Sequence, residues 1–119
     1  MDERRRFVRL DTRLEVAYSV LPSGQPKTVT TKNISTGGIC LVLDEALSVG
    51  ARLQIEMRLP NLQQPVRFTA EVAWSESYEV IGQAEHRRAV EVGVRFIDIT
   101  PADQRAIAQY VILTIQPSR

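Results

Sequence analysis

Between residues 13 and 97 apolar side chains keep returning at every second position. A period of two is that of a strand with one face in a core, and a chain that repeats it can build little but an antiparallel sheet. Leu14, Val16, Tyr18 and Val20 form the first set, over 13–21. A Thr/Val-rich strand follows at 27–33, then Ile39, Leu41 and Leu43. Leu53, Ile55, Met57 and Leu59 continue the pattern, and so do Val66, Phe68, Ala70, Val72 and Trp74. Val90, Val92, Val94 and Phe96 close it over 89–97. This phase assigns Trp74 to the core face with its four predecessors.

The links support the same conclusion. Pro22-Ser23-Gly24-Gln25-Pro26 and the stretch from Pro60 to Pro65 are turn sequences. Short links join antiparallel neighbours. The exception is 77–88, polar and mixed, which suggests a long connection. After Ile97 the period changes to that of a helix. Thr100 suits an N-cap, Pro101 the first helical position, and Asp103 the place of a capping-box acid. Ile107, Tyr110, Val111 and Thr114 recur at helical spacing with Ile115 close by, and Pro117 ends the run. The expectation is a mainly all-β chain of six antiparallel strands, curled into a small barrel or a strongly twisted sandwich, with one C-terminal helix at 101–115.

Size and composition narrow the function classes. A chain of 119 residues holds one domain comfortably and two poorly. The formal net charge is +1, so nothing draws the whole surface to nucleic acid polymers or anionic membranes. No apolar run approaches the ~20 residues of a membrane span, and the N-terminus lacks the apolar stretch of a secretory signal. Cys40 is the one cysteine, which excludes an internal disulfide, and the expected location is cytoplasmic. His86 is the one histidine, so a zinc site or a Ser-His-Asp arrangement has nothing to build on. No phosphate loop of the Walker or dinucleotide type is present. The chain is expected not to be an enzyme, with no catalytic residue, metal or cofactor.

Charge is concentrated at the start instead. Arg4, Arg5, Arg6 and Arg9 fall in six residues. A guanidinium fork matches phosphate oxygens and the O6/N7 edge of guanine. A second unusual stretch, Asn33-Ile34-Ser35-Thr36-Gly37-Gly38, interrupts the strand pattern. Its Asn and Ser can bond nearby backbone and its glycines allow positive φ, so a tight turn is expected.

Arg-x-x-x-Arg (Arg5, Arg9) followed by Asn-x-Ser-x-x-Gly (Asn33, Ser35, Gly38) resembles the PilZ domain family of bacterial cyclic di-GMP receptors. The Glu-Arg-Arg-Arg-Phe start, Val72-Ala73-Trp74, and Gly93-Val94-Arg95-Phe96 before Thr-Pro-x-Asp are similar too, so the likeness covers almost the whole chain. It implies a single domain over 1–119: a flexible arm at 1–10, a six-stranded antiparallel barrel at 13–97 and a helix at 101–115. It implies that Arg5 and Arg9 grip the phosphates and guanine edges of cyclic di-GMP, with Arg4 as a further contact favouring two intercalated ligands. Asn33 and Ser35 would line the guanine pocket, and Gly38 would keep it clear of a side chain. A downstream protein partner is also implied. The rival expectations are a protein-interaction adaptor on the same fold with weak or lost nucleotide binding, and a barrel for single-stranded nucleic acid. The latter needs aromatic platforms, and aromatic residues are only 6% of the chain. Arg13, Arg87, Arg88 and Arg95 could extend a basic rim but are taken as ordinary surface residues.

Overall fold

The computed structural model of the protein describes residues 10–60, 62–82 and 86–115. Seven strands and one helix follow in order: β1 (Leu10–Asp11), β2 (Glu15–Val20), β3 (Lys27–Ile34), β4 (Gly38–Leu43), β5 (Arg52–Met57), β6 (Val66–Ile81), β7 (His86–Ile99) and α1 (Pro101–Ile115). Around the barrel the order is β3-β2-β5-β6-β7-β4, all antiparallel, and β4 pairs back onto β3 to close it. Closure leaves the six main strands without free edges along the barrel wall. The short β1 is an addition, laid against the C-terminal part of β3 with Leu10 opposite Ile34 and Asp11 opposite Asn33.

The alternating residues fill the interior. Val16, Ile55, Leu53, Met57, Ala70, Val92 and Leu41 are wholly buried. Phe68 and Phe96 meet edge to face at 4.7 Å between ring centres. Tyr18 buries its ring and extends its hydroxyl to Glu45 Oε2 at 2.8 Å, an oxygen that also accepts from Lys27 Nζ at 2.5 Å. Burial first, and then the Glu45 carboxylate, push the phenol of Tyr18 well above its usual range.

The helix packs over one part of the barrel on Ile107 and Val111, both buried, while Thr114 of the expected apolar stripe is exposed. Its start is capped as the sequence suggests, with Asp103 N–H donating to Thr100 Oγ1 at 3.2 Å. The Asp103 carboxylate does not complete a capping box. It accepts from the backbone N–H of Arg67 in β6 at 3.3 Å, tying helix to sheet. Further along, the hydroxyls of Tyr110 and Thr12 lie 3.1 Å apart and tie α1 to the segment after β1. Among the described residues no helix is long and apolar enough to cross a membrane.

Two expectations about the sheet fail as well. Residues 77–88 are not an irregular connection. Ser77–Ile81 pair with His86–Val90 and extend β6 and β7 into a two-stranded ribbon beyond the barrel. Polar residues on both faces hid it, because a ribbon with no core beneath it shows no alternation. The second failure is Trp74, which is 38% exposed. The register of β6 against β7 slips between Val72 and Trp74, and a bulge of one residue turns every later side chain to the opposite face.

Candidate functional site

The site begins with an irregularity in β3. Between Thr31 and Asn33 the pairing with β4 shifts, so that Asn33 comes opposite Cys40. The chain on the other side of β3 is also irregular, since Thr12–Leu14 interrupts the line between β1 and β2. The wholly buried Thr31 bridges this gap. Its hydroxyl donates to Thr12 O at 2.5 Å and accepts from Leu14 N–H at 3.0 Å, so this buried hydroxyl is partnered on both sides. The bridge holds β1 in place, and with it the point where the N-terminal segment meets the barrel.

The turn after β3 is built by Ser35. Its Oγ accepts from the N–H groups of Gly37 at 3.2 Å and Gly38 at 3.3 Å, and its own N–H donates to Gly38 O at 2.9 Å. Positive φ is not what the glycines supply, for among the described residues only Gly50 takes it, at 92°. Gly38 is required for closeness: a Cβ there would fall on the carbonyl of Val94 and within 3.2 Å of Arg95 Cα. This corrects the reason expected for the glycine and keeps its position.

Across the outer wall, one line of residues runs over five strands. Asp11 faces Asn33, Asn33 faces Cys40, Cys40 faces Gly93, and Gly93 faces Trp74. Small side chains in the middle of that line leave a hollow, and the indole of Trp74 fills part of it. A Cβ at Gly93 would lie inside that indole, so the glycine lets the ring rest on the strand. The resulting pocket measures about 150 Å³ and is lined by Asn33, Ser35, Gly38, Cys40, Trp74 and Arg95, among others. Beyond Trp74 the surface changes character. Glu91 and Glu76 stand opposite each other there, and Glu91 binds Lys32 at 2.7 Å, which holds the ammonium of Lys32 above its ordinary range.

The three expected residues of the second motif, Asn33, Ser35 and Gly38, therefore do share one pocket. The expected arginines Arg4, Arg5 and Arg9 lie outside the described residues. Trp74, Gly93 and Arg95 were not expected there. One signal for Trp74 was available: after Val72 the even positions bring Glu76, which no core would accept unpaired, so the inward phase had to change near Trp74. The register that sets Trp74 on Gly93 is not readable from the chain. Among the described residues no group of His, Cys, Asp or Glu is arranged to hold a metal.

A closed barrel of six antiparallel strands with a C-terminal helix and a hollow on its outer wall defines the class of domain. The chain belongs to the PilZ domain family, whose model matches residues 3–113. It is 29% identical over 113 residues to the uncharacterized protein YpfA of Bacillus subtilis, a match over 92% of this chain and 49% of YpfA. It thus spans about half the length of that curated relative. The PilZ domain of YcgR from Escherichia coli, solved with cyclic di-GMP, superposes with a TM-score of 0.74 at 22% identity, covering 95% of this chain and 92% of that one. The inhibitor of motility MotI/DgrA of Bacillus subtilis gives 0.69 at 27% identity, over 97% of this chain and 54% of that one.

Proposed function

We propose that this protein is a non-enzymatic, cytoplasmic receptor for cyclic di-GMP that passes the ligand signal to a protein partner. The observation that carries the reading is the convergence of Asn33, Ser35 and Gly38 on one pocket, beside the strand that delivers the N-terminal segment. Arg9 is one peptide bond from Leu10, so its Cα lies within about 3.8 Å of a residue paired with Ile34, beside the Ser35 turn. This supports a site in which the motif arginines act together with the motif turn, although at least 23 residues separate them in sequence.

The chemistry is consistent with this ligand. The pocket of about 150 Å³ is smaller than the ~300–1,000 Å³ of clefts that enclose a whole small molecule. It receives part of the ligand, a guanine against Trp74 with Asn33 as a hydrogen-bonding group and Ser35, whose hydroxyl is taken up by the turn, lining the wall. The phosphates and the second guanine stay outside, where Arg5 and Arg9 close over them with Arg4 assisting. Arg forks match both phosphate oxygens and the guanine O6/N7 edge. Placing the arm over the ligand changes the surface around β1, and that change is what a partner recognises.

Calorimetric titration with cyclic di-GMP tests the reading. Wild type binds, and Arg5→Ala and Arg9→Ala each weaken binding by about tenfold or more, the worth of a charge-assisted hydrogen bond. Unchanged affinity in both variants would remove the arginines from the site.

A further inference from the structure

Arg95 borders the same pocket from the barrel wall. It sits one outward position along β7 from Gly93, directly opposite Gly38 of the motif. Of the pocket's eleven lining residues it alone carries a formal charge. The others are small, neutral or aromatic, so a dianion placed here meets one fixed cation on the wall.

That cation is held in a defined way. Across β6 its register partner is Glu71, and Glu71 in turn faces Arg52 on β5. The Nε of Arg95 donates to Glu71 Oε1 at 2.9 Å, and Nη2 donates to the same oxygen. Two of five guanidinium N–H groups are thereby used and three remain. The side chain of Arg95 is 64% exposed and that of Glu71 only 20%, so the acid is a seated anchor and the arginine head stays open to solvent and to the pocket. Gly38 contributes as well. Because it has no Cβ, β4 and β7 approach closely and no side chain stands between Arg95 and the turn of Ser35.

We propose that Arg95 is a phosphate-binding residue of this site, with Glu71 as the residue that positions it. The inference rests on the reading of the pocket as a cyclic di-GMP site and deepens it. The ligand is gripped from two directions: by arginines of the N-terminal segment and by one arginine built into the barrel. A preset cation on a rigid strand loses little freedom on binding.

Tryptophan fluorescence or calorimetry with cyclic di-GMP, at low and high salt, decides the matter with five proteins: wild type, Arg95→Ala, Arg95→Lys, Glu71→Ala and Arg5→Ala. Arg95→Ala weakens binding about tenfold at low salt while its thermal midpoint stays close to wild type, because an exposed ion pair contributes little to folding. The gap between wild type and Arg95→Ala narrows near 1 M salt, where the screening length falls to about 3 Å. Arg95→Lys keeps the charge but not the fork, and binds with intermediate affinity. Glu71→Ala breaks the ion pair and leaves the arginine charge, so it costs less affinity than Arg95→Ala. Wild-type affinity in Arg95→Ala, with Arg5→Ala still impaired, overturns the role of Arg95 and leaves the receptor reading intact. Equal losses in Glu71→Ala and Arg95→Ala also overturn it, since the pair would then be structural only. No binding by any of the proteins overturns the receptor reading and this inference together.

Discussion

Single residues on the outer wall decide whether there is a site at all. Gly93 is the clearest case. Its backbone φ is ordinary for any residue, so its glycine character answers only to the indole above it. Gly93→Val would push Trp74 off the strand. The indole is already 38% exposed and can swing outward, so the cost to folding is about 1 kcal/mol and not that of an overfilled core. The expected result is a red-shifted tryptophan emission, a thermal midpoint lowered by only a few degrees, and loss of the pocket wall, seen as weaker cyclic di-GMP binding. A blue shift, or full affinity, would show that Trp74 does not form that wall. Thr31 acts at the same scale from inside, where one buried hydroxyl satisfies both ends of the gap between β1 and β2.

At the level of elements, β6 and β7 do two jobs. Up to Val72 and from Val90 onward they are barrel staves. Beyond those points, as a ribbon, Tyr78 faces Ala89 and Glu79 faces Arg88, and no third strand joins them among the described residues. The ribbon is therefore separable. Replacing residues 79–88 by Asn-Gly joins Tyr78 to Ala89 through a two-residue hairpin turn of the favoured type. The shortened protein should keep the far-ultraviolet spectrum of the barrel and its ligand affinity, because no residue from 77 to 90 lines the pocket or the hollow that adjoins it at Trp74. Failure to fold would mean that the ribbon nucleates the β6–β7 pairing. Loss of affinity alone would mean that the site extends along it. The helix was legible beforehand: Thr100, Pro101 and the spacing of Ile107 and Val111 announce it. The ribbon was not, because its polar faces show no period, and of the bulge that frees Trp74 the chain shows only the trace left by Glu76 in the inward phase.

For the whole molecule, stability and the proposed binding reside in different places. The core lies inside the barrel, and the proposed ligand groups lie on its outer wall and on the N-terminal segment. A ligand that binds only the folded state raises stability by mass action, about 2.7 kcal/mol at a hundredfold excess over Kd. Cyclic di-GMP should thus raise the thermal midpoint of the wild type by several degrees. Arg5→Ala should melt with wild-type behaviour when free and show a much smaller rise at the same ligand concentration. A variant that melts low even without ligand would place Arg5 in the fold and not in the site. What the sequence determined alone was whatever depends on neighbours along the chain: the period of two, the switch to a helical period, the cap at Thr100, and the two motifs with their residue types. Only the tertiary structure decided which outward-facing residues meet. Asn33, Cys40, Gly93 and Trp74 come from four strands, and their alignment depends on two register shifts and the closure of β4 on β3. A shift of one residue reverses a strand's faces, and no local pattern reports it unless a core lies beneath. For that reason the motif turn could be read from the chain, while the wall it shares with Trp74 and Arg95 could not.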